Sequence, residues 1–435
     1  SQHTLGRFRL TAVTGHDPLL TIPQGVRDVL AVPSDKRTAE QTAALVEYRA
    51  GEDKKVAELI AEVSKLRTRL AAKPVMKARV LAERTDKRRA SHLLSRGDFL
   101  QPEGEVQPGT LAVLPPLKPR AAGSADRLDL ASWLVDPANP LVRRVMVNQL
   151  WSNLFGRGIV RTANDFGVRG ERPTHPELLD WLAAEMTACG WSRKEMIRLI
   201  VASATYRQAS GHRAELIDVD PLNDLFHRQN RYRVEAEIVR DLSLAAAGLL
   251  SDKVGGPSVF PPLPPDIAEL SYANNFKWSN STGEDRYRRG MYTFFKRTAP
   301  HPNLTTFDCP DSNTTCIERR TSNTPLQALA TLNNEIFSEA AQAMARRVLS
   351  ATASDDHERL KLALRWCVAR PATSDELAAF GELLTESRQW YVSHPAEATT
   401  LLGPFKAEGA TAGEAAAWVA TVRIIMNLDE FLTRE

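Results

Sequence analysis

Apolar residues recur at helical spacing over most of this chain. One run, Val56, Leu59, Ile60, Val63, Leu66 and Leu70, predicts a helix over 54–72. Ser34-Asp35 predicts the start of a helix over 36–49, so the two form an α-hairpin with coiled-coil-like spacing. At about three heptads it reads as intramolecular packing or a projecting arm rather than a dimer seam. Further helices are predicted over 24–30, 126–135, 140–155, 177–188, 193–203, 233–250, 326–349, 355–368, 374–391 and 412–428, with a helical turn over 221–225. Asp126 and Ser192 supply caps, Pro140 a first turn, and Gly156 with Gly158 a stop.

Alternating polarity is confined to short stretches. Leu5, Phe8 and Leu10, separated by Arg7 and Arg9, predict a strand caught in the middle of a β-element, as in a piece of a longer polypeptide. A small β patch is expected at 78–83 and 91–95, and the stretch 102–119 reads as a Pro-rich linker. The expected fold class is mainly α: a multi-helix domain with long irregular loops, plus the N-terminal β-strand remnant and the α-hairpin. Three parts follow: the terminal strand of a preceding β-sandwich with its connector at 1–33, hairpin, patch and linker at 34–125, and a helical domain at 126–435.

Composition narrows the function classes. A chain of 435 residues with 56 basic and 53 acidic side chains has a formal charge of only +3, which gives no case for nucleic acid. No run of 18 apolar residues predicts a membrane span, and the first residues lack the basic and apolar regions of a secretory leader. The four cysteines form no CxxC, no haem-attachment motif and no zinc spacing, so neither metal nor cofactor is expected within this chain. Cys309 and Cys316, six apart in a turn-rich segment, either close a small disulfide ring or stay reduced. Cys189 and Cys367 sit in apolar helical settings and are expected to be inert.

The stretch 283–334 is read as one long polar loop crossing the helical domain, and loops of that length are usually functional. Glu284, Asp285, His301 and Asp308 are its candidate acids and bases; Arg286, Arg297, Arg320 and Asn323 are its candidate ligand donors. The competing reading is a rigid ionic network that holds the loop. Earlier segments add Arg143, Asn148, Arg169, His175, Arg207 and Arg233 as candidate ligand-binding residues, against structural bridges and helix caps. The three regions, 143–172, 206–241 and 283–334, are expected to meet at one polar cleft. No nucleophile elbow, phosphate loop, dinucleotide fingerprint or zincin helix occurs.

Four strings, RLDLASWLVDPANPLVRRVMVNQLWSNLFGRGIVRTANDFGVRGERPTHPELLDWLA, LIVASATYRQAS, GEDRYRRGMYTFFKRTAPHPNLTTFDCP and TSNTPLQALATLNN, resemble a C-terminal domain of unknown function. That domain belongs to the large planctomycete-type cytochrome c-associated proteins. The resemblance runs from Asp126 to the C-terminus and, more loosely, from HTLGRFRL onward. It implies an exported, periplasmic or extracellular protein with haem carried only by other, N-terminal domains. It also implies that HTLGRFRL is the last strand of a sugar-binding sandwich, and that partners are polysaccharide and the haem-bearing and sugar-binding domains of the same or a neighbouring chain. No catalytic residue carries over. Two functions follow: a module that binds carbohydrate or organises partner domains, or a glycan-processing enzyme using the acidic and His residues of 283–334.

Overall fold

The computed structural model describes residues 21–72, 80–82, 89–263, 267, 277–405 and 408–434. The expected strand at Leu5–Leu10 lies outside them, as does half of the patch expected at 78–83. The chain divides into a unit Ser1–Arg89 and a unit Ala90–Glu435.

The first unit carries α1 (Gln24–Leu30), α2 (Ala39–Glu52) and α3 (Lys54–Ala71). Thr38, not Ser34, caps α2: its hydroxyl accepts from Gln41 N while the Gln41 side chain returns to Thr38 N, a capping box. Ser34–Lys36 is a 3-10 turn instead. Asp53 caps α3, and α2 packs along it.

The second unit opens with an antiparallel pair, β1 (Ser91–Leu94) and β2 (Pro102–Val106), joined through a turn at Arg96. Helices follow: α4 (Arg127–Leu134), α5 (Val142–Phe155), α6 (Pro176–Ala188) and α7 (Arg193–Val201). Residues Val147, Trp151, Phe155, Leu182, Met186, Met196 and Ile200 from α5 to α7 close one core, together with Phe226. A second, larger core is built from α8 (Ala236–Ala246), α9 (Pro302–Thr306), α10 (Pro325–Asn333), α11 (Glu335–Leu349), α12 (Asp356–Val368), α13 (Ser374–Ser393), α14 (Pro395–Leu402) and α15 (Ala412–Ile425). Helix α15, with Trp418 fully buried, packs against α11, α12, α13 and α14. A two-residue pair, β3 (Tyr232–Arg233) and β4 (Thr433–Arg434), brings the last residues of the chain back to the start of α8.

The mainly α expectation holds, with about 52% of the structure helical. Details differ. The helix expected over 326–349 is two, because Asn334 adopts extended backbone and turns its side chain to accept from Ile336 N, which ends α10 and caps α11. The helix expected over 233–250 is shorter, since Tyr232 and Arg233 are taken by β4. The stretch 283–334 is not one loop: it contains 3-10 turns at Gly283–Tyr287 and Gly290–Tyr292, then α9 and α10. Cys309 and Cys316 are both free thiols, Cys309 facing Glu237 at 3.9 Å and Cys316 donating to Glu318 O at 3.1 Å.

Candidate functional site: a groove beside an ionic latch

The motif Gly283–Gly290 acts as a latch between α8 and α11. Arg286 bridges Glu339 and Glu335 of α11, both at 2.8 Å, and Tyr287 donates to Glu339 at 2.6 Å. Burial, reinforced by that carboxylate, pushes the Tyr287 hydroxyl up to about 12. Arg289 pairs with Asp241 of α8 at 3.2 Å, and Gly290 N donates to the same carboxylate at 2.6 Å. Arg288 is fully buried without a carboxylate among its partners; it donates to the carbonyls of Lys253, Gly255 and Pro257, and its guanidinium lies 3.8 Å over the Tyr292 ring. Arg240 of α8 donates to Arg286 O at 2.6 Å, and burial lowers it to about 10.

The candidate acids and bases are spoken for within this framework. Glu284 accepts from Ser251 Oγ at 2.7 Å and Asp285 pairs with Lys253 at 3.0 Å. Asp308 accepts from Ser322 N, Ser322 Oγ and Gln327 Nε2 through one oxygen. His301 caps α9: Nδ1 accepts from Asn303 N at 3.2 Å while Nε2 reaches Pro262 O at 3.2 Å. With both ring nitrogens engaged and burial lowering it to about 4, the imidazole is neutral.

Of the candidate ligand donors, most are anchored in the framework or exposed to solvent. Asn148 is fully buried and holds Val160 with two hydrogen bonds, donating to its carbonyl at 2.9 Å and accepting from its N–H at 2.8 Å. Arg143 ties the start of α5 to Pro137 O at 2.8 Å and to Thr187 of α6 at 3.3 Å. His175 precedes α6 without capping it, its Nδ1 3.0 Å from Thr174 Oγ1. Arg169 and Arg207 are exposed, as are Arg297, Arg320 and Asn323, which have no side-chain partner among the described residues. Arg286 belongs to the latch. Arg233 lines the wall of a groove beside the latch.

That groove, of about 1050 Å³, draws its walls from all three regions: Ser152, Asn153 and Gly156 at the end of α5, 232–242 at the start of α8, and 316–321. Residues 367–370 and the chain end Glu430–Arg434 complete it. Gly156 ends α5 at φ +74°, and any Cβ there would meet the Tyr232 ring at 2.7 Å. The ring lies across this glycine, and its hydroxyl donates to Asn153 O at 3.0 Å. Arg434, paired with Tyr232 in the β3–β4 ladder, sits 5.4 Å over the same ring and donates to Tyr206 Oη at 3.0 Å.

Ion pairs fix the remaining walls. Arg319 reaches Glu237 at 2.7 Å and Glu235 at 3.3 Å; Arg370 reaches Glu376 at 2.6 Å and Glu430 at 2.5 Å; Arg233 pairs with Asp429. The Arg370 contact, with the Thr373 cap, holds the Glu376 carboxyl down to about 2. Cys367 is pushed up to about 12 by burial and is not a nucleophile at neutral pH. Arg434 differs from the other groove arginines: it has no carboxylate partner among the described residues. The groove therefore offers guanidinium donors and tyrosine and glutamate oxygens. Tyr232, Arg370, Glu430 and Arg434 were not singled out from sequence as ligand-binding residues, because Arg370 and Glu430 stand 60 positions apart, and Tyr206 and Arg434 228, which leaves no local signal.

Among the described residues no group of three or more His, Cys, Asp or Glu is placed to hold a metal ion, and no helix is long and apolar enough to cross a membrane. No curated protein and no solved structure matches the chain. A family model matches residues 126–384, a span that contains the latch and the first groove walls and stops before Glu430–Arg434. Since the match covers more than half of its length, the chain belongs to the PSD1 family, described as a protein of unknown function (DUF1553).

Proposed function

We propose that this chain is a non-catalytic binding module, the C-terminal part of an exported, cytochrome c-associated protein, and that its groove holds an acidic polysaccharide. The observation that carries the reading is Arg434: a guanidinium over the Tyr232 ring, at the wall of a groove of about 1050 Å³, with no carboxylate partner among the described residues. A uronate or sulfate group accepts a charge-assisted hydrogen bond from a guanidinium that faces no carboxylate. The engagement of Glu284, Asp285, His301 and Asp308 in the framework supports binding over glycan cleavage. Haem-bearing and sugar-binding domains, on the same or a neighbouring chain and outside the cytoplasm, are the companions this module would organise.

Calorimetric titration with uronate-bearing, sulfated and neutral oligosaccharides tests it. The reading expects acidic ligands to bind and to weaken as salt rises, with neutral ones weaker. Binding of neutral ligands only, or of none, overturns it.

A further inference from the structure

Helix α3 has no buried residue, and its apolar side chains stand in solvent: Leu59 is 61%, Val63 48%, Leu66 51% and Leu70 67% exposed. Helical stability in proteins comes mostly from packing of the apolar face, so this stripe calls for a partner that covers it. Helix α2 packs along α3 without doing so.

The order of the apolar residues, half-buried Val56 and the exposed ones after it, says what the partner is. Val56, Leu59, Val63, Leu66 and Leu70 follow one another at steps of three, four, three and four, the spacing of heptad positions a and d. Valine fills the first two a positions and leucine both d positions, the choice that favours a parallel two-stranded coiled coil. The flanks agree. In a parallel pair in register, position g of one helix faces position e of the next heptad on the other, which places Glu62 opposite Arg67 of a second copy, twice by symmetry. Lys55 then faces the apolar Ile60, so no like charges meet. Neither Glu62 nor Arg67 has an ion-pair partner among the described residues. One helix thus carries both halves of the charge pair, and no second kind of chain is needed.

Against the reading from length alone, we infer that α3 is a self-association seam through which two copies of this chain pair as a short parallel coiled coil. Sedimentation velocity of the whole chain over a concentration series reads it directly. The wild type is expected to dimerise reversibly and Leu66→Asp to remain monomeric with unchanged far-UV circular dichroism at equal monomer fraction, since Leu66 is exposed within the single chain. Glu62→Arg and Arg67→Glu should each weaken the dimer roughly 3- to 30-fold, and the double variant should restore it. In a Cys316→Ser background, Leu70→Cys should form an interchain disulfide with glutathione disulfide as oxidant, because in-register a positions lie within bonding reach. A chain that stays monomeric overturns the inference, as does a dimer indifferent to Leu66→Asp, a double variant no tighter than the singles, or a dimer in which Leu70→Cys does not cross-link.

Discussion

Gly290 lies so close to the backbone of Glu237 that a Cβ would overlap the Glu237 carbonyl and stand 2.8 Å from its Cα, while the Glu237 side chain reaches the other way to hold Arg319 at the groove wall. One residue of α8 therefore joins the latch to the groove. Gly290→Ala must push the 3-10 turn off α8, and we expect a loss of about 1–3 kcal/mol in urea unfolding, the usual cost of overpacking against backbone. An unchanged midpoint and slope would contradict the close approach.

Glu339 is the centre of the latch, receiving Arg286 and Tyr287. Glu339→Gln leaves Arg286 with only the exposed Glu335, and stability should fall by about 2–3 kcal/mol, somewhat below the cost of breaking a fully buried pair because Arg286 is partly solvated. The Tyr287 phenol should then titrate at lower pH, which ultraviolet difference spectra would follow.

His301 makes stability depend on pH in a defined window. Its folded pKa is depressed to about 4 by burial, against an unfolded value near 6.5. Below the unfolded value the unfolded chain binds a proton that the folded chain does not, so stability falls as pH drops from about 6.5 to 4 and this contribution levels off below. The full loss is on the order of 3 kcal/mol. Chemical unfolding of wild type and His301→Gln at several pH values isolates it, with the difference between the two expected to change through that window.

Asn148 presents a donor and an acceptor to the same residue, Val160, in the core formed by α5 to α7. Asn148→Asp removes the donor and sets a carboxylate against the Val160 carbonyl; a loss of about 3 kcal/mol is expected by thermal or urea unfolding. A neutral effect would mean that the buried site admits water.

How far the sequence carries this account depends on the distance between partners. Helices with local signals, such as α7 with its Ser192 cap or α6 with Pro176 in its first turn, are readable because cap and apolar stripe lie within a few residues. The break at Asn334 is not, since it uses neither Gly nor Pro and depends on one side chain capping the next helix. Glu284, Asp285 and Arg286 look like site chemistry in sequence because their partners, Ser251, Lys253 and Glu339, lie 32 to 53 residues away. The same reason hides the groove: Tyr232 and Arg434 meet only once β4 has returned to β3.

The central claim is that the groove binds and the latch carboxylates do not catalyse. Calorimetry of an acidic oligosaccharide against wild type, Arg434→Gln and Asp285→Asn, with product analysis of the same mixtures, tests it most directly. The account predicts about tenfold weaker binding for Arg434→Gln, the worth of one charge-assisted hydrogen bond, wild-type binding for Asp285→Asn, and intact ligand throughout. Cleaved ligand whose formation stops in Asp285→Asn, or binding indifferent to Arg434→Gln, would contradict it.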